Sequence, residues 1–266
     1  MNNTAVSADY IKTADEKILE LKNVSLIFNE YGKKFAALDD VSFYLKSSEV
    51  LGIIGESGSG KSSIAKVITG LNKPSSGSIF YMGEDITRLK KEQKHRLYRH
   101  VQMVFQNAPA SFNPRRKIGK SIEEIICRLC ANAQGSVRQK AEKLIMEVGL
   151  DKEYLNRYPH EISGGQCQRA AIARAMAVSP RVLICDESTS ALDVSVQAVI
   201  IDLLLKLRRE KNMSLIFISH DLALVSSITD RLIIMDSGKI VESGNTCDVV
   251  SNPQSQYTKR LLDAVL

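Results

Sequence analysis

The sequence predicts an α/β fold built on a mainly parallel sheet, with a helical insertion in its middle. Three observations carry this reading. Short apolar runs ending in glycine or acidic residues alternate with amphipathic stretches, first over residues 50–71 and again over residues 181–235. A glycine-rich segment, residues 55–60, separates one such run from the amphipathic stretch that follows it. Between Asp85 and about His160, apolar residues recur at helical rather than strand spacing.

Taken in order, residues 1–15 are polar, lack the apolar core of a secretory signal and read as a flexible tail before a domain spanning 16–266. Ile18, Leu19, Leu21, Val24, Leu26 and Phe28 give a half-buried strand, Asn29–Lys34 a polar turn, and Ala37–Leu45 a second strand. Val50–Ile54 is a short buried strand and Lys61–Leu71 the helix after it; Asn72–Gly77 is a turn by composition. In the insertion, Ile122, Ile125, Ile126 and Leu129 mark one helix. Val137, Ala141, Leu144, Ile145 and Val148 mark another, with Ser136 as N-cap and Gly149 just past its end. Arg181–Cys185, Leu215–Ser219 and Leu232–Met235 are strands, Val194–Leu207 a helix, and Tyr257, Leu261, Leu262 and Val265 suggest a closing helix.

Composition excludes several classes. At 44% hydrophobic and 25% charged, the 266 residues have the balance of a soluble globular protein. The five cysteines show no paired spacing, which points to a reducing, intracellular home. The most apolar stretches, Ala198–Leu207 and Leu215–Ser219, are too short to span a bilayer. A net charge of +6 suits a polyanionic ligand without naming one. The densest basic run, Lys90 to His100, reads as a solvated helix face, with no aromatic rhythm for stacking bases.

Gly55-Glu56-Ser57-Gly58-Ser59-Gly60-Lys61-Ser62 fits G-x-x-x-x-G-K-[ST], a match expected by chance in roughly one random chain of this length in a hundred. Here it lies between strand and helix, where backbone N–H groups and a helix N-terminus can cradle phosphate oxygens. Lys61 would reach the β- and γ-phosphates and the Ser62 hydroxyl would ligate Mg²⁺. The strand Arg181–Cys185 runs into two acids. In such a fold Asp186 would hold Mg²⁺ and Glu187 would activate water as general base. Ile162-Ser163-Gly164-Gly165-Gln166 precedes a helical stretch, Cys167–Ala177, with Ser163 at the N-cap: a second anion site. Two phosphate-binding helix starts with only one lysine-bearing loop suggest head-to-tail pairing of two chains.

The order Gly55–Ser62, Gln106, Ser163–Gln166, Arg181–Glu187, Ser190-Ala191-Leu192-Asp193 and His220 resembles the ATP-binding-cassette (ABC) ATPase domain, over nearly the whole chain from Ile18. The resemblance implies a RecA-like core with an N-terminal antiparallel β subdomain, a helical subdomain at about 85–177 and a C-terminal helical segment at about 252–266. It implies that Gly55, Ser57, Gly58, Ser59, Gly60, Lys61, Ser62 and Ser63 bind ATP, and that Phe28 stacks on adenine, with Tyr31 its rival. Gln106 would contact Mg²⁺ and the water, and His220 would bond the γ-phosphate and position Glu187. Ser163, Gly164, Gly165 and Gln166 would grip the partner chain's γ-phosphate, and Asp193 would order the interface.

The segment Phe105-Gln106-Asn107-Ala108-Pro109-Ala110-Ser111-Phe112-Asn113-Pro114-Arg115 narrows the resemblance to oligopeptide, dipeptide and nickel importer ATPases. Arg157–Glu161, Ser190–Gln197 and Pro253…Tyr257-Thr258-Lys259 agree with it. An ATPase subunit at the cytoplasmic face of the plasma membrane is the implied role, with peptide the implied cargo and nickel or a metallophore the alternative. Its implied partners are two integral membrane permease subunits, a second and non-identical ATPase, and an extracellular solute-binding protein. A short helix of a permease would dock near Gln106–Pro114. The rival from another class, an ABC ATPase acting on nucleic acid or ribosomes, typically needs two cassettes or a long coiled coil. Cys167 stands where the family usually has a basic residue, and Ser188 where proline commonly follows the glutamate; activity is expected to survive both. With the chain stopping at Leu266, before the cysteine-bearing tail of some members, no iron–sulfur cluster is expected. Cys127 and Cys130 read as packed or surface thiols.

Overall fold

The structure, a computed structural model, describes residues 16–30, 33–130, 136–187 and 193–264. The tail 1–15, Tyr31, Ser188, Ser190–Leu192 and Val265 lie outside the described residues. The strands are β1 (Lys17–Glu30), β2 (Lys33–Lys46), β3 (Val50–Ile54), β4 (Ser76–Tyr81), β5 (Glu84–Asp85), β6 (Val101–Val104), β7 (Val182–Asp186), β8 (Ser214–Ser219), β9 (Arg231–Asp236) and β10 (Lys239–Asn245). The helices are α1 (Lys61–Ile68), α2 (Lys91–His100), α3 (Ile118–Leu129), α4 (Val137–Glu147), α5 (Gly164–Met176), α6 (Val194–Lys211), α7 (Leu222–Ser226), α8 (Thr246–Ser251) and α9 (Gln256–Asp263).

Two sheets result. The first is antiparallel, in the order β2-β1-β4-β5. The second runs β10-β9-β3-β8-β7-β6, parallel from β9 to β6, with β10 antiparallel at its edge. Strands β3, β7 and β8 are buried throughout, as unbroken apolar runs in a parallel sheet covered on both faces must be. Alternate residues divide the core. Leu51, Ile53, Ile184, Ile216 and Ile218 join the cluster that holds α1 and the antiparallel sheet. Val50, Ile54, Cys185, Leu215 and Phe217 face the other way, into a cluster continuous with Ile118, Ile122 and Ile126 of α3 and the alanine-rich α5.

Several boundaries differ from the sequence reading. The stretch from Asp85 to about His160, read as a helical insertion, contains β6, which pairs with β7 inside the parallel sheet. Four residues are too few to display a period, and β6 is an edge strand with a single partner. The turn at Asn72–Gly77 gives way to β4 from Ser76, because that segment bonds to β1 (Ser25 opposite Ser76). Helix α1 ends at Ile68, before Leu71, and Gly70 follows at φ +66. The second strand begins four residues earlier than its apolar pattern. Ser136 caps α4 as expected, accepting a hydrogen bond from the Gln139 N–H (3.1 Å), and Gly149 follows it at φ +73. The basic run forms α2, in which only Leu97 is buried. No helix of the described residues is long and apolar enough to cross a membrane.

Candidate active site

Parallel strands deliver their following loops to one edge of a sheet, and Gly55–Ser62, Gln106, Asp186, Glu187 and His220 collect at that edge. The loop Gly55–Gly60 leaves β3 and enters α1 through Gly60, at φ 101, with no side chain capping the helix. The first N–H groups of α1 are thereby left toward the loop, as an anion site requires. A Cβ on Gly60 would lie 2.5 Å from the Ala37 carbonyl, and one on Gly55 would lie 2.3 Å from the Met235 carbonyl, so the loop is seated on β2 and β9. The Ser59 carbonyl accepts from the Gly238 N–H (3.0 Å). Lys61 folds back over the loop and donates to the carbonyls of Gly55 and Glu56, each at 2.7 Å. Burial lowers the pKa of this ammonium, while Glu187, Asp186 and Glu56 pull it the other way.

Asp186, at the tip of β7, is buried and accepts a hydrogen bond from the Ser62 hydroxyl at 2.9 Å. Burial raises its pKa. The Ser62 bond opposes the shift, the Glu187 charge adds to it, and Lys66 and Lys61 oppose it. Two hard oxygen donors brought together from α1 and β7 fit a Mg²⁺ site. Glu187 takes φ 44, uncommon for a residue with a Cβ, and its N–H bonds to the Ile218 carbonyl (2.9 Å). Its carboxylate accepts from Gln106 Nε2 at 2.7 Å and has His220 Nδ1 3.7 Å away on its other oxygen. Gln106 follows β6 and His220 follows β8, so the strands flanking β7 hold the glutamate from both sides.

Phe28, Ser57, Gly58, Lys61, Ser62, Gln106 and Glu187 line one open cleft of about 390 Å³. Phe35, which the sequence reading passed over, lines it too. The register of β1 and β2 sets Phe28 opposite Phe35, and both rings are exposed, at 37% and 59%. The available signal is the polar stretch Asn29–Lys34: strands folded back about its middle set 28 across from 35.

The second glycine motif lies elsewhere. Ser163 caps α5, its hydroxyl accepting from the Gln166 N–H (3.3 Å) while the Gln166 side chain accepts from the Ser163 N–H (2.9 Å). Ser163, Gly165 and Gln166 line a separate depression of about 430 Å³ with Arg169 and Val196. Gly164 opens α5, and Asp193 stands exposed at the N-cap of α6. Neither belongs to the cleft of Lys61. Further along α5, Arg174 donates to the Ser111 carbonyl (2.7 Å) and Oγ (2.9 Å) and lies 4.3 Å from the centre of the Phe112 ring. The segment after Gln106 is thus tied to the helix that the second motif begins. Cys167 is buried in α5 and its thiol is pushed up to about 11 by that burial.

Comparison with known proteins bears on the family and the fold. The family model for ABC transporters matches residues 38–190. The oligopeptide transport ATP-binding protein OppF of Salmonella typhimurium is 42% identical over 257 residues, covering 96% of this chain and 77% of that protein. OppF of Streptococcus mutans is 44% identical over 254 residues, covering 94% and 82% respectively. Among solved structures, the dimeric ATP-binding cassette MJ0796 bound to ADP and Pi superposes with a TM-score of 0.78 at 28% identity, covering 86% of this chain and 98% of that one. The strand-end cluster of Lys61, Ser62, Asp186 and Glu187 therefore sits on a shared scaffold, and the chain belongs to the ABC transporter family.

Proposed function

We propose that this chain binds and hydrolyses ATP as the motor subunit of an importer for oligopeptides. The observation that carries the proposal is the convergence of Lys61, Ser62, Gln106 and Glu187 in one cleft, with Asp186 bonded to Ser62 and His220 beside Glu187. In this reading Lys61 and the N–H groups at the start of α1 hold the phosphates, while Phe28 and Phe35 offer their exposed rings to the base. Ser62, Asp186 and Gln106 would hold Mg²⁺, which neutralises charge on the phosphates when bound. Glu187 takes the proton from the attacking water. Gln106 and His220 keep the carboxylate aimed, and His220 adds a donor to the γ-phosphate. The Ser62 hydroxyl and the Asp186 carboxylate, already 2.9 Å apart, are the two oxygens of this set that would face the ion together.

Because the Ser163–Gln166 motif lies outside this cleft, a second cassette would supply it, head to tail, with Asp193 at the seam. ATP would close the pair and hydrolysis reopen it. The dimeric MJ0796 cassette supports the pairing, and the OppF likeness supports the cargo. The Gln106–Pro114 segment, tied through Arg174 to α5, would meet a permease subunit. The other expected partners, a non-identical ATPase, a second permease and a solute-binding protein, complete the assembly at the cytoplasmic face of the membrane. The test replaces Glu187 with Gln. Phosphate release should fall by about 10²–10⁴-fold with ATP binding retained. Turnover near the wild-type rate would remove Glu187 as the base.

A further inference from the structure

The phosphate loop has a contact that its own motif does not contain. The Glu56 N–H donates to the hydroxyl of Tyr257, 3.1 Å away and 201 residues later, on α9. The carbonyl of the same residue accepts Lys61 Nζ at 2.7 Å. One residue of the loop is therefore gripped on its amide side by the C-terminal helix and on its carbonyl side by the phosphate-binding lysine.

The helix bearing Tyr257 is itself fixed to the core. Glu242 of β10 accepts the Gln254 N–H (2.8 Å) and the Ser255 N–H (3.0 Å) with separate carboxylate oxygens. Ser255 Oγ then caps α9 by accepting the Tyr257 N–H (3.2 Å). Tyr257 packs against the larger hydrophobic cluster, and the Arg260 guanidinium lies 5.8 Å from the centre of its ring. A chain of short contacts thus runs from β10 through α9 to Glu56 and on to Lys61. Burial, the largest influence, raises the pKa of the phenol, and the hydrogen bond from the Glu56 N–H opposes that shift.

We propose that Tyr257 is a positioning residue for ATP binding, which sets the first half of the phosphate loop, and through the Glu56 peptide the Lys61 ammonium, before nucleotide arrives. This rests on the functional reading above, since a loop that held no phosphate would need no such setting. A loop already in its bound conformation loses less entropy on binding, so loosening it weakens affinity. Neither Tyr257 nor Glu56 touches Glu187, whose own partners are Gln106 and His220, so the proton-accepting step is left alone.

The test uses the full chain with Tyr257→Phe, which keeps the ring and removes only the acceptor, and with Glu242→Gln, which replaces one of the two acceptors at the start of α9 by a donor. Three quantities are measured: amide exchange at Glu56 without nucleotide, the Kd for Mg-ATP, and kcat against KM. Both variants should expose the Glu56 amide to exchange, weaken ATP binding about fivefold and raise KM in step, with kcat within about twofold of wild type. A role confined to holding α9 in place would move the melting temperature and leave this split absent in Tyr257→Phe. Wild-type ATP affinity in Tyr257→Phe overturns the inference while leaving the functional reading intact. Failure of the wild-type chain to bind ATP at all overturns both.

Discussion

Gly55 gives the sharpest steric test of how the phosphate loop is seated. Its φ lies outside the left-handed region, so alanine suits its backbone, and the obstacle is space alone. An added Cβ would sit 2.3 Å from the Met235 carbonyl oxygen and 2.6 Å from Ser59 Oγ, where real Cβ contacts essentially never fall below 3.0 Å. Ser59 Oγ can rotate away. The carbonyl cannot, because Met235 belongs to β9, which is bonded to β3 on one side and to β10 on the other. The loop must therefore retreat by at least the 0.7 Å between 2.3 and 3.0 Å. A misplacement near 1 Å in a catalytic constellation costs up to about 10²-fold, so Gly55→Ala should lose about 30- to 100-fold in kcat/KM for ATP. Gly58→Ala is the comparison. At φ +83 with nothing within 4 Å, it meets only the left-handed penalty of about 1–2 kcal/mol. The assay is steady-state phosphate release with Mg-ATP, beside thermal melts showing that both variants fold. Gly55→Ala turning over within about threefold of wild type would refute the seating argument.

At Gly165 the only severe obstacle to a Cβ is Val196 Cγ1, at 2.6 Å, a side-chain atom rather than backbone. Gly165→Ala should therefore impair ATP-driven association, measured by light scattering on the Glu187→Gln background, and adding Val196→Ala should restore most of it. Tyr81 has a buried hydroxyl with no hydrogen-bond partner among the described residues, and burial pushes its pKa up to about 12. Tyr81→Phe should raise stability to urea by about 1 kcal/mol at pH 7. With the folded-state pKa raised above the unfolded value near 10, the neutral phenol favours folding. Wild type should thus lose on the order of 2 kcal/mol between pH 10 and about pH 12, a loss absent from Tyr81→Phe.

The parts legible in the sequence were those where local chemistry and fold agree. Val50–Ile54, Gly55–Ser62 and Val182–Glu187 each carry their own signal: a strand too apolar to be exposed, glycines where the backbone must turn, and acids where the strand leaves the core. The Ser136 and Ser163 caps were visible for the same reason. What stayed hidden depends on contacts distant in the chain. β6 is a strand only because β7 lies beside it, and β4 only because β1 does. Phe35 enters the cleft through cross-strand register, which a one-residue slip would reverse. The grip of Tyr257 on Glu56 spans 201 residues and has no local signature at all.

The distribution of the five thiols also decides how the protein meets oxidants. Cys127, near the end of α3, and Cys247, in α8, are exposed; Cys130, just past α3, is half-buried and donates to the Ala177 carbonyl at 3.3 Å. Cys167, beside the Ser163–Gln166 motif, and Cys185, beside Asp186, are sealed in the core. With its thiol raised to about 11, Cys167 holds almost no thiolate at neutral pH, and the thiolate is the form that reacts. Peroxide or an alkylating reagent would mark Cys127 and Cys247 first, and neither lines the cleft of Lys61. The outer thiols would record the exposure while the cleft, with no cysteine in its lining among the described residues, stayed chemically unaltered.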